Sequence, residues 1–266
     1  MRLGMCTGAS YLNEAHAAGF DYVEFSAWDL LFDQSDEAFK SVQEKVLASP
    51  IPVEACNCFV PGNIKVTGQE VIIEAVRRHM DIVLRRASEI GISVMVFGSG
   101  GARRAPDGFP LERARVQYSE AVRLAAEIGA RYGVTIALEP LSSKECNIFN
   151  LVSEGCKIID GVNHPNAKVL ADLYHMEQMH EPMSDIVAAG SRLAHVHIDL
   201  PQDFPVLAGQ DKVSYLAFID ALEQNGYDGR VSIESHTYRP ANEQPIGEYY
   251  KEAREVIAAI MPVSIK

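Results

Sequence analysis

Short apolar runs alternate with amphipathic segments along the whole chain, segment after segment stops at a glycine just before the next run, and four successive late runs give out on Glu, Asp, His and Glu. These observations predict an α/β protein of the closed (β/α)8 TIM-barrel class. Strands regularly separated by helices pair in parallel, and the carboxyl ends of neighbouring barrel strands open on one mouth. A doubly wound open sheet is the rival, but the repeated βα alternation without a GxGxxG at the first turn favours closure. The 266 residues, 47% of them hydrophobic, suffice for one such core, and residues 1–266 are expected to form a single domain.

The elements follow in order. Run 3–6 opens the chain, and apolar residues at helical spacing cover 11–18 before Gly19. Run 22–26 leads to the helical segment 37–48. Run 53–59 precedes the helix 70–90, which stops at Gly91, and run 94–98 precedes 112–132, which stops at Gly133. Runs 135–141, 169–174, 194–198 and 231–234 are followed by helical segments 151–160, 184–189, 213–225 and 248–260, with Gly226 closing the third of these. Glycine after a helix takes the left-handed conformation that turns the chain toward the next strand. The longer strand-end loops are expected after strands 3, 4, 6, 7 and 8, where a substrate would be held.

Charge narrows the function. Asp plus Glu number 36 against 24 Lys plus Arg, a formal charge of -12, opposite to what counterion release from a phosphate backbone requires. No nucleic-acid partner is expected. The opening Met-Arg-Leu-Gly-Met-Cys-Thr-Gly lacks the apolar core of a signal peptide, and no run approaches the ~20 residues that span a bilayer, so a cytoplasmic protein without membrane contact is expected. The five cysteines are scattered without CxxC pairs and read as free thiols. Cys56 and Cys58, two apart on one strand, are expected to share a face and line packing or a pocket.

The strand ends carry the chemistry. A lone strand-end carboxylate is usually a helix cap or an ion-pair partner, but Glu139, Asp172, His197 and Glu234 end four neighbouring runs and can converge on one divalent cation. Three oxygen donors with one imidazole suit Mn²⁺ first, then Mg²⁺ or Co²⁺. His175 falls in the loop after Asp172, near enough to touch a bound molecule, against the bland reading of an exposed loop histidine. His195 alternates with His197, placing both on one face, so one serves as ligand and the other as support beneath it. Glu145, six residues past Glu139, can bend back over the mouth. Gly98-Ser-Gly-Gly-Ala-Arg-Arg104 reads either as an anion cradle, with Arg103 as its cation, or as a surface loop. Trp28, just past strand 2, is either a stacking wall for a sugar ring or core packing.

These residues resemble the metal-dependent sugar isomerase/epimerase superfamily of barrels, the xylose isomerase-like group that includes ketose 3-epimerases of the D-tagatose/D-psicose type, inosose dehydratases and endonuclease IV. The resemblance spans the chain. Ala15-His-Ala-Ala-Gly-Phe-Asp-Tyr-Val-Glu24 is similar to that family's first helix and second strand, and Leu138-Glu-Pro-Leu141, Asp172-Leu-Tyr-His-Met176, His195-Val-His197 and Ile233-Glu234 to its last four strand ends. In the ketose 3-epimerases the residues matching Glu139, Asp172, His197 and Glu234 bind the metal, those matching Glu145 and His175 contact substrate hydroxyls, and the two glutamates form the acid/base pair. The resemblance implies proton abstraction beside a carbonyl through a metal-stabilised enediolate, on a sugar substrate, in a chain that self-associates.

One position departs. Six residues after the ligand histidine the epimerases carry a substrate-contacting arginine, and here Asp203 stands there. That departure favours, as an alternative, a lyase of the inosose dehydratase kind. A third reading, a non-catalytic sugar-binding or accessory barrel, is opposed by the complete ligand set. Endonuclease IV needs histidines at strands 3 and 4, where this chain has Cys56-Asn-Cys58 and Phe97-Gly-Ser99.

Overall fold

The computed structural model describes residues 1–200, 209–234 and 245–261. Strands β1 (Arg2–Cys6), β2 (Tyr22–Ser26), β3 (Val53–Asn57), β4 (Val94–Phe97), β5 (Thr135–Leu138), β6 (Ala167–Asp172), β7 (Leu193–Ile198) and β8 (Arg230–Ile233) pair in that order, all parallel. Register Met5↔Ile233 joins β1 to β8 and closes the barrel. Between them run helices α1 (Leu12–Ala18), α2 (Asp36–Leu47), α3 (Ile73–Glu89), α4 (Gly100–Arg103), α5 (Leu111–Tyr132), α6 (Val152–Val162), α7 (Leu173–Gln178), α8 (Ser184–Ala189) and α9 (Gly209–Asn225), and α10 (Ile246–Ile260) follows β8. The expected TIM-barrel class is the observed one.

Local chemistry explains the boundaries. Gly19 (φ 86°) ends α1 and Gly133 (φ 71°) ends α5, each in the left-handed region that lets the chain leave a helix and enter a strand. The Ser35 side chain accepts from the Ala38 amide at 3.3 Å and starts α2.

The strands are apolar on both faces because each is covered twice. Their outer sides pack against the helices through residues such as Val23, Phe25, Met95, Ile136 and Val169. Inside the barrel a smaller layer of Tyr22, Ala55, Val94, Val96, Ala137 and Leu170 fills the axis. Tyr22 fits because Gly4 faces it: a Cβ on Gly4 would stand 2.3 Å from the ring. At the amino end of the strands, Glu54 Oε2 accepts from Arg2 and from Arg230, each at 2.6 Å, tying β1, β3 and β8 together.

Several ends differ from the sequence reading. β3 stops at Asn57, and Cys58 takes a positive φ of 53°, so Cys56 turns into the core while Cys58 emerges at the mouth; the two do not share a face. β6 stops at Asp172, whose side chain accepts from the His175 amide at 3.0 Å and begins α7, so His175 sits on a short helix rather than in a loop. The connection after β5, absent from the expected set of long loops, carries Ser142 and Glu145. Asp203 lies outside the described residues. Among the described residues, no helix is long and apolar enough to cross a membrane.

Candidate metal centre and active site

Four strand ends deliver the site. Glu139 follows β5, Asp172 ends β6, His197 lies on β7 and Glu234 follows β8. One atom from each of these side chains lies within 4.8 Å of one from every other. His197 Nδ1 is the meeting point, at 2.6 Å from Glu234 Oε2, 3.1 Å from Glu139 Oε1 and 3.8 Å from Asp172 Oδ2. Glu139, Asp172 and His197 are buried, while Glu234 is partly open toward the mouth.

Such a cluster is electrostatically unsatisfied on its own. Burial, and then repulsion from Glu234, push the Glu139 carboxyl up; burial, and then Glu139, push Asp172 well up. His197 is raised well above an ordinary imidazole: burial works against its charge, but Glu24 and Glu234 overcome it. Three acids around one imidazole nitrogen are a donor set that fits a divalent cation, which would replace proton sharing with coordination.

Close packing fixes Glu139. A Cβ on Gly98 would stand 2.0 Å from Glu139 Oε2, so the carboxylate lies directly against the backbone after β4. Asn57, at the end of β3, donates from Nδ2 to Glu234 Oε1 at 2.7 Å. Glu139 and Glu234 thereby approach Nδ1 of His197 from opposite sides, Glu139 from the end of β5, two strands before β7, and Glu234 from the end of the adjacent β8.

Beneath this layer lies Glu24, fully buried on β2. Its Oε1 is 3.0 Å from His197 Nε2, and its Oε2 is 2.7 Å from His195 Nε2 and accepts from Ser232 Oγ at 2.5 Å. Burial would raise this acid, but the two imidazoles outweigh it and hold Glu24 well below the usual carboxylate range. The sequence reading passed over Glu24. Its one signal was a charged residue in the middle of Tyr22-Val-Glu-Phe-Ser26. Cys6 forms a second cluster with Glu24 and His197, but the Glu24–His197 hydrogen bond already occupies those atoms.

The remaining expected residues separate. The Ser142 amide donates to His175 Nδ1 at 3.1 Å, which in the neutral ring leaves the proton on Nε2. Glu145 Oε1 is 3.7 Å from that Nδ1 and 3.4 Å from Ser142 Oγ, so Glu145 and His175 adjoin on the β5 and β6 connections. Trp28 is 54% exposed on the turn after β2 and packs on Phe32 with ring centroids 4.7 Å apart, rather than entering the core.

Arg103 does not stand where an anion cradle needs it. Its guanidinium is wholly buried against Phe149 (4.7 Å) and Tyr118 (5.3 Å), and donates to Cys146 Sγ, Tyr118 Oη and the Phe149 carbonyl. The glycine-rich stretch there winds into α4, and a planar cation between two rings is better packed than exposed. Cys58 at the mouth is pushed up to about 11 by burial and by Glu234, so its thiol stays protonated at neutral pH.

Comparison with known proteins gives the family and the likeness of fold. The family described as the xylose isomerase-like TIM barrel matches residues 12–260. An L-ribulose 3-epimerase of Methylomonas sp. is 36% identical over 116 residues, 43% of this chain and 40% of that protein, so the chain spans less than half the length of that relative. A probable ketose 3-epimerase of Synechocystis sp. is 27% identical over 232 residues, 85% of this chain and 77% of the relative. The crystal structure of D-psicose 3-epimerase with D-tagatose from Clostridium cellulolyticum H10 superposes over all of both chains with a TM-score of 0.82 at 18% identity, a likeness of fold.

Proposed function

Because the chain belongs to the xylose isomerase-like TIM barrel family, we propose that it is a divalent-metal-dependent sugar isomerase/epimerase that moves a proton at a carbon beside a ketose carbonyl. The observation that carries this reading is the convergence of Glu139, Asp172 and Glu234 on Nδ1 of His197. The 3-epimerase names of the relatives support the same substrate class.

These four residues would hold the cation, Mn²⁺ by preference, and bound there it would supply Lewis acidity to a carbonyl and an adjacent hydroxyl. The chain's own groups do the rest. Glu139 and Glu234 form the acid/base pair, one taking the proton from one face of the carbon and the other returning a proton to the opposite face. Gly98 and Asn57 keep those carboxylates in place. His175 and Glu145 face the substrate hydroxyls, with the His175 ring oriented by the Ser142 amide. Trp28 offers an apolar wall at the rim.

The second reading, dehydration in the manner of an inosose lyase, draws on Asp203 in place of the epimerases' arginine. Both readings predict exchange next to a carbonyl, and the product separates them. The test is deuterium wash-in by proton NMR: Mn²⁺- and Mg²⁺-loaded protein with free and phosphorylated ketoses and inososes in D₂O. An epimer carrying deuterium at the inverted carbon supports the proposal. A dehydrated ketone supports the lyase, and metal-loaded protein that exchanges no substrate refutes both.

A further inference from the structure

We propose that Glu24 is a positioning residue for the metal centre: its carboxylate takes the Nε2–H of His197 and so presents the Nδ1 lone pair to the cation site. This rests on the reading that Glu139, Asp172, His197 and Glu234 hold a cation, and it adds a residue from β2, a strand that contributes none of those four.

The geometry leaves Glu24 little freedom. Its side chain is fully buried, and both oxygens are engaged by donors on strands β7 and β8, which close the barrel with β1 beside β2. Oε1 meets His197 Nε2 at 3.0 Å; Oε2 meets His195 Nε2 at 2.7 Å and Ser232 Oγ at 2.5 Å. Ser232 Oγ is in turn 2.8 Å from the Tyr22 hydroxyl, whose ring fills the space that Gly4 leaves open. The carboxylate is thus fixed from the barrel interior outward.

Imidazole chemistry then assigns the tautomer. In a neutral ring one nitrogen donates and the other accepts, and the nitrogen that faces an ionised carboxylate must carry the hydrogen. For His197 that nitrogen is Nε2. Nδ1 also faces acids, 2.6–3.8 Å away, so a cation bound where they converge would take the place of the Nδ1 proton and leave that nitrogen's lone pair to it, while Nε2 keeps its hydrogen on Glu24. A ligand imidazole held from behind by a carboxylate cannot rotate and is a stronger base, and loss of such a partner typically weakens metal binding about 10–100-fold.

A purely structural role would have a different signature. If Glu24 served only to satisfy His195 and Ser232, its removal would lower the stability of the metal-free protein and leave intrinsic cation affinity alone. The test therefore measures both, on the full chain. Mn²⁺ binding is titrated by the electron paramagnetic resonance of free Mn²⁺ for wild type, Glu24→Gln and Ser232→Ala. Thermal melts of the metal-free proteins run beside it, and ¹⁵N NMR of the histidines in the Mg²⁺-loaded wild type reads the tautomer.

The expected result is one Mn²⁺ per wild-type chain, about 10–100-fold weaker binding by Glu24→Gln at temperatures where its metal-free melt shows it folded, and a His197 proton on Nε2. Ser232→Ala keeps the carboxylate but releases one of its anchors, so a smaller, several-fold loss is expected. It decides the matter if Glu24→Gln does not fold. Unchanged affinity in the variants, or a His197 proton on Nδ1, overturns the proposal. Failure of the wild type itself to bind Mn²⁺ is a separate outcome, which overturns the four-residue cation site on which the proposal rests.

Discussion

Gly98→Ala places one methyl group where the structure has no room for it. The new Cβ would lie 2.0 Å from Glu139 Oε2 and 3.2 Å from its Cδ. Reaching an ordinary contact of roughly 3.4 Å requires the carboxylate to retreat by about 1.4 Å, the difference between 3.4 and 2.0. Glu139 is only 6% exposed and sits 3.1 Å from His197 Nδ1, so that retreat removes it from the point where the four side chains meet. Misplacement of a reacting group by about 1 Å costs on the order of 100-fold in rate, and overpacking of this kind costs about 1–3 kcal/mol in stability. The assay is the initial rate of deuterium exchange into a ketose under saturating Mn²⁺, together with a Mn²⁺ titration and a thermal melt. The comparison is Gly161→Ala on α6, where a Cβ meets nothing within 4 Å and replacing a helical glycine stabilises by about 0.5–1 kcal/mol. We expect Gly98→Ala to fold, to bind Mn²⁺ more weakly and to exchange about 100-fold more slowly, while Gly161→Ala keeps wild-type rates. A Gly98→Ala protein with wild-type exchange and wild-type affinity would refute the argument that Glu139 works from this position.

Glu139→Gln, nearly isosteric, should keep the fold and part of the cation affinity while losing proton transfer; full activity in that variant would end the two-carboxylate mechanism. Saturating Mn²⁺ should raise the melting temperature, since a ligand at about 1,000 times its Kd stabilises by roughly 4 kcal/mol, and a melt indifferent to Mn²⁺ and to chelator would count against the site. Glu181, after α7, gives a pH prediction away from the site. Burial, then hydrogen bonding with Asp185, pushes its carboxyl up to about 8, and its Oε1 accepts from the Val152 amide at 2.8 Å at the start of α6. A raised acid contributes stability that is complete below its unfolded value of 4.5 and lost as pH rises through about 8. Glu181→Gln, uncharged throughout, should therefore gain on wild type between pH 5 and pH 9, by at most about 4–5 kcal/mol at about 1.4 kcal/mol per unit between 4.5 and 8, a shift of several degrees or more in Tm. A stability difference that does not change with pH would show that Glu181 is ionised throughout.

The elements that were legible in the sequence are those fixed by local chemistry. Glycines 19, 91, 133 and 226 all adopt positive φ, and each of them marks the helix end read from the chain. Glu139, Asp172, His197 and Glu234 were legible as a group because a parallel barrel puts consecutive strand ends side by side, so order along the chain becomes adjacency in space. Glu24 was not, because its partners are 171, 173 and 208 residues away and its own neighbours resemble any inward-facing strand. Arg103 misled for the opposite reason. Next to glycines in a strand-end loop an arginine reads as a ligand for anions, and only the positions of Tyr118 and Phe149 reveal that it is wedged between rings. His175 reads as a loop residue from the chain alone, because the hydrogen bond by which Asp172 starts a helix is not visible in its spacing.

That double duty of Asp172 bears on how such a chain can change over evolutionary time. One carboxylate oxygen holds the amide of His175, while the other lies 3.8 Å from Nδ1 of His197. A substitution at 172 by a residue without a side-chain acceptor thus removes one of the four converging groups and the cap of the helix that carries His175, in one mutational step. A descendant that abandons the charge at 172 but retains the start of α7 needs a residue there that can still accept from the His175 amide. Asn at 172, which keeps an oxygen for the cap while surrendering the charge, is the substitution through which such a lineage would pass.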